Sequence, residues 1–104
     1  MAKVVVSAGI CGFSAVIKAK KDDNDKINLK ITSPCEMIAK LGEELKSVDW
    51  TQAVTRYLTQ SEVYRASNKH VFHTACPVPS AILKAIEVEA GLALPKDVHM
   101  KISP

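Results

Sequence analysis

The chain contains no run of apolar residues approaching the roughly 18 that a membrane-crossing helix needs, so no membrane partner is expected. Glycine is scarce, with four residues at positions 9, 12, 42 and 91, too scattered for a dinucleotide fingerprint or a phosphate-cradling loop. No Ser/His/Asp order is present either, which argues against a hydrolase or a kinase and leaves a stand-alone enzyme unexpected. A basic stripe with interleaved aromatics is also missing. Lys18, Lys20 and Lys21 are followed at once by Asp22, Asp23 and Asp25, and the net charge is only +3, so nucleic acid is not an expected partner. Cysteine is sparse but present. Its three residues include no Cys-x-x-Cys pair, and an odd number in a chain without an export signal argues for reduced thiols over a disulfide framework.

What is present fits one ordinary globule. The 104 residues are enough for one core and too few for two, and 47% apolar with 24% charged residues is far from a disordered composition. A single domain over 1–104 follows. The opening "MAKVVVSAGICGF" has a short apolar part that runs straight into a strand pattern, so it reads as folded structure in a cytoplasmic protein and not as a leader.

Residues 3–7 are β-branched enough for a strand, and Gly9 and Gly12 supply a turn. From Phe13, residues 13, 15, 17 and 19 alternate with 14, 16, 18 and 20, and Ile27, Leu29 and Ile31 repeat the period of two beyond the charged turn "KKDDNDK". These segments predict an antiparallel hairpin. At "SPCEMIAKLGEEL" the period changes: Ser33 suits an N-cap, Pro34 the first helical position, and Glu36 completes a capping box. Asp49 and Gln52 open a second helix through "WTQAVTRYLTQ", with Trp50, Tyr57 and Leu58 on one face, which "SEVYRAS" either extends or restarts. A third helix begins at Pro79 and closes at Gly91, after which Val98, Met100 and Ile102 alternate as a last strand. The expected fold is α+β in two layers, a mostly antiparallel sheet of three N-terminal strands plus one C-terminal strand with about three helices on one face.

The cysteines fall at comparable places: Cys11 in a glycine turn, Cys35 in the first turn of a helix, and Cys76 at another helix start. The positive end of a helix favours anionic sulfur. Three readings follow. Cys11, Cys35 and Cys76 converge on a zinc ion or an iron–sulfur cluster, with His73, or else His70, as a fourth ligand, because thiolate clusters in reduced compartments suit those metals. Alternatively, Cys76 acts alone as a nucleophile that carries sulfur as a persulfide. In the third reading the thiols are small buried hydrophobes of an interaction domain. Trp50, Tyr57 and Tyr64 read as core, and His99 as solvated.

The stretch "CPVPSAILKAIE", at residues 76–87, resembles the Cys-Pro-x-Pro helix start of the small sulfur-relay proteins of the bacterial tRNA-thiolation pathway. That resemblance implies Cys76 as the sulfur-carrying residue, Pro77 and Pro79 as shapers of the turn, and a protein partner in sulfur transfer. The family's motif follows its first strand, whereas here it follows three strands and two helices. With "ICGF", "SPC", "HTACPVP" and "KAIEVEAGLALPKDV" in that order, nearly the whole chain also resembles a small uncharacterised family associated with anaerobic microbes. The leading expectation is a metal-binding or carrier module with a partner in sulfur or metal transfer.

Overall fold

A computed structural model describes residues 1–104. Its strands β1 (Ala2–Ser7), β2 (Ser14–Lys21), β3 (Ile27–Thr32) and β4 (Ser47–Val48) form one antiparallel sheet in chain order. The helices are α1 (Glu36–Glu44), α2 (Trp50–Val54), α3 (Glu62–His70) and α4 (Val78–Glu89), with a 3₁₀ turn at Leu58–Gln60. The fold is α+β, as the alternation and capping signals predict.

Register fixes which face is covered. Val4 stands opposite Ile17 and Ile17 opposite Ile31, while Ala2, Ala19 and Leu29 form a second row, so one face is aliphatic as far as Lys21, the last residue of β2. Ala15 and Ala19 flank Ile17 on β2, and α4 brings Ala81, Ile82, Ala85 and Ile86 down onto β1 and β2. Small residues on both partners let the helix approach while Ile17, Ile82 and Ile86 exclude all water. Each fully buried isoleucine contributes about 2–3 kcal/mol by removal from water. The α1 helix covers β3 with Ile38 and Leu41. A Cβ at Gly42 would stand 3.1 Å from the Ile31 side chain and 3.2 Å from its carbonyl oxygen. That glycine is the contact that lets α1 lie on the strand.

The opposite face carries no helix, and Lys3, Lys18 and Lys30 stand directly opposite one another across β1, β2 and β3. None of the three has a carboxylate partner. The charge balance expected from neighbours in sequence therefore holds only for Lys21, which pairs with Asp25 at 2.8 Å. Strand alternation sends Lys18 to the open face, away from the turn that holds the acids.

Three further expectations change. The fourth strand is Ser47–Val48, not the C-terminal segment: residues 93–104 make no backbone hydrogen bond, and Val98, Met100 and Ile102 are exposed. Alternation gives a strand only where an edge accepts its N–H and C=O groups, and the tail reaches none. At α1, Ser33 does not cap. Its hydroxyl donates to the Ser14 carbonyl and accepts from the Cys35 N–H, so Cys35 becomes the N-cap and Glu36 the first helical residue. The second helix stops at Val54 and restarts at Glu62, which leaves Tyr57 exposed instead of in the core. Asp49 does cap it, accepting from the Thr51 N–H at 3.0 Å. No helix is long and apolar enough to cross a membrane.

Candidate functional site

Strand direction and one helix decide where the cysteines lie. The α4 helix ends at Glu89, whose carboxylate accepts from the Lys21 N–H at 2.9 Å and meets the Met1 ammonium at 3.5 Å. The C-terminus of α4 is thereby fixed where β1 begins and β2 ends. Twelve residues of helix span about 18 Å, close to the length of a six-residue strand. Because α4 packs along β1 and β2, its N-terminus lies at the other end of the sheet, where Ser7 faces Ser14.

Cys76 immediately precedes that N-terminus. Its N–H donates to the His73 carbonyl at 3.0 Å, closing a turn that aims the chain into Pro77 and α4. Cys11 occupies the loop joining Ser7 to Ser14, at the same end. That loop is held by Ala8 N–H to the Phe13 carbonyl and by Gly12 N–H to the Gly9 carbonyl, both 2.9 Å. Gly9 and Gly12 both have positive φ, a region a side chain would strain. Cys35 follows β3, which also finishes at this end, and Ser33 ties its turn to Ser14. Three separate connections thus bring every cysteine of the chain to one end of the sheet.

The end is not a finished ligand sphere. Cys11 is exposed, whereas Cys35 and Cys76 are half-buried against the core. No three His, Cys, Asp or Glu side chains converge on a common point, so Cys11, Cys35, Cys76 and His73 do not form the ligand set that their pattern suggests. Cys11 rides a loop that projects beyond the sheet, and His73 points from an exposed turn. His70 is engaged elsewhere: it bonds the Glu44 carboxylate at 2.9 Å, linking α3 to α1. The hydrogen bond from His70, with that from Lys69, holds the Glu44 carboxyl below its ordinary value. His99 lies in the exposed tail.

Beside the thiols stand apolar side chains that the sequence reading did not single out. Ile10 is 99% exposed next to Cys11, and Phe72 is 93% exposed in the loop that leads to Cys76. An apolar residue between two glycines of a tight loop is a readable signal, since neither periodicity explains it.

The model of the Family of unknown function (DUF6951) matches residues 2–102. The chain belongs to this family. Membership supports the whole-chain resemblance to an uncharacterised family and brings no activity with it, and the local likeness to sulfur-relay proteins finds no counterpart in the match. Neither a curated protein nor a solved structure matches the chain.

Proposed function

We propose that this chain is a small cytoplasmic binding or carrier module whose thiol-bearing end takes a soft metal centre, a zinc ion or an iron–sulfur cluster. Cys11, Cys35 and Cys76 supply sulfur and His73 a fourth donor, a set that suits those metals. The observation that carries the reading is the delivery of every cysteine to one end of the sheet by three unrelated connections. Binding requires the Cys11 loop to fold inward over Cys35 and Cys76. Only two backbone bonds hold that loop, and both of its glycines already occupy the conformation that tight loops use. Inward movement also takes Ile10 out of water. A protein partner that delivers or receives the metal or its sulfur completes the reading.

The test is reconstitution without oxygen, once with zinc and once with ferrous iron and sulfide, followed by metal and sulfide analysis and a visible spectrum. We expect one centre per chain, and its loss in Cys35→Ser and Cys76→Ser. Trace metal alone, or equal loading of a variant lacking all three thiols, overturns the reading.

A second reading is favoured by the position of Cys76, half-buried at the head of the longest helix and outside any group of three or more His, Cys, Asp or Glu side chains. Here the Cys76 thiolate attacks the outer sulfur of a donor protein's persulfide; the donor's thiolate leaves and a Cys76 persulfide remains, with no net oxidation. A mass gain of one sulfur that disappears in Cys76→Ser identifies it. Failure of both leaves an interaction domain with structural cysteines.

A further inference from the structure

The chain has only two arginines, Arg56 and Arg65; apart from three histidines, every other basic side chain is a lysine. Both arginines line one shallow depression on the helical layer, together with Gln52, Thr59 and Gln60. The lining holds no carboxylate and no apolar side chain. Neither guanidinium forms an ion pair, although Glu62 opens α3 nearby and Glu87 borders the adjoining recess.

The local fold explains the meeting. The second helix breaks at Thr55, so Arg56 sits in the loop that turns back through the 3₁₀ turn to α3, where Arg65 follows one turn later. The Ser61 hydroxyl donates to the Ala53 carbonyl at 2.7 Å and locks that return. Being used there, it does not cap α3, whose first turn has no side-chain cap. Its free N–H groups add positive potential beside Gln60.

A second recess shares Arg56 and is largely apolar, with Val54, Leu58, Tyr64 and Leu83 in its wall; its one carboxylate, Glu87, pairs with Lys84 at 3.8 Å. We infer that the two depressions form one site for a phosphate monoester with a small apolar body, its phosphoryl group held by Arg56 and Arg65 and its body lying against Leu58, Tyr64 and Leu83. Two guanidinium forks by themselves fill the four acceptor positions of a carboxylate, and Gln52, Thr59 and Gln60 would then have nothing to bind. A phosphoryl group, with three terminal oxygens, uses the additional donors. Arginine in place of lysine at both positions fits bidentate recognition of a planar or tetrahedral oxyanion better than attraction by a point charge. Leu83 stands at the middle of α4 and Glu87 one turn further on, so this site is separate from the thiol end at the head of that helix.

The experiment is a backbone-amide NMR titration at physiological ionic strength with three probes: phenyl phosphate, inorganic phosphate and benzoate. We expect saturable shifts at Gln52, Thr59, Gln60 and Arg65 with phenyl phosphate, several-fold weaker binding of inorganic phosphate, and the weakest from benzoate. Arg56→Lys and Arg65→Lys keep the charge and remove the fork; both residues are exposed, so both variants should fold. Each should weaken phenyl phosphate about tenfold. Shifts that do not saturate, equal affinity in the two lysine variants, or shifts centred on Lys18 and the open sheet face would each overturn the inference. Tighter binding of benzoate than of phenyl phosphate would overturn the phosphate assignment.

Discussion

The two ends of the sheet are built on opposite plans. Where β1 begins and β2 ends, charge and hydrogen bonding close the structure. Asp22 accepts from the Asn24 and Lys26 N–H groups, Asp25 pairs with Lys21 and accepts from the Trp50 indole at 3.4 Å, and Glu89 takes both the Lys21 N–H and the N-terminal ammonium. At the other end lie all three thiols, two glycines of positive φ, and the exposed Ile10 and Phe72. Its one side-chain tie between elements is Ser33 to Ser14. The first end anchors α4; the second presents groups that nothing within the chain consumes. Regions that leave apolar and reactive groups in water with few local ties are where binding and movement concentrate.

The largest effect we expect tests whether the ends are coupled at all. Ile17 is fully buried midway between them, so Ile17→Ala should cost about 3–4 kcal/mol in urea unfolding. Hydrogen exchange should rise at both ends together, and loosening of one end alone would break the picture of a single core. Next, Glu89→Gln should cost about 1–2 kcal/mol at neutral pH by weakening a charged acceptor of a backbone N–H, with the loss felt at the anchored end. The same contrast has a pH signature. The Lys21 N–H lowers the Glu89 carboxyl, the Lys21 side chain lowers Asp25, and Thr51 lowers Asp49. The unfolded chain therefore binds more protons than the folded one below the ordinary values of 4.5 for Glu and 3.8 for Asp. Stability present above that range falls as pH descends through it toward the lowered values, and Glu89→Gln should flatten part of the fall.

Smaller changes sharpen the thiol end. Gly9→Ala and Gly12→Ala meet no neighbouring atom but force a side chain into positive φ, and each should cost about 1 kcal/mol. A thermal melt that does not move would show the loop already free of that conformation. Lys18→Thr relieves like charges on both sides and should gain a few tenths of a kcal/mol, more at low salt. Cys11→Ser in metal-free protein should stay within about 0.5 kcal/mol of the parent, since the thiol is exposed. A larger loss would mean that Cys11 already packs against its neighbours.

Much of the fold was readable because its signals are local. Alternation along residues 13–21 and 27–31 needs only one covered face, and Asp49, Gly91 and the two prolines at the head of α4 act on the backbone beside them. What was misread depended on distant partners. Ser33 looks like a cap until Ser14 engages its hydroxyl, and residues 98–102 look like a strand until every ladder is assigned without them. Gly42 looks like a weak point in a helix. It is the place where α1 touches Ile31. Cys11, Cys35 and Cys76 were visible as thiols at turns and helix starts, but their shared end depends on strand direction. Arg56 and Arg65 carry no motif and meet only because the second helix breaks between Val54 and Glu62.

The sequence by itself determined the class, the hairpin and, to within a residue or two, the principal helix starts, because periodicity and capping are properties of neighbouring residues. Only the tertiary structure decided that every cysteine shares one end, that three lysines oppose one another on the open face, and that both arginines share a groove. Those are juxtapositions of residues far apart in the chain, fixed by strand direction, register and the angle at which each helix packs.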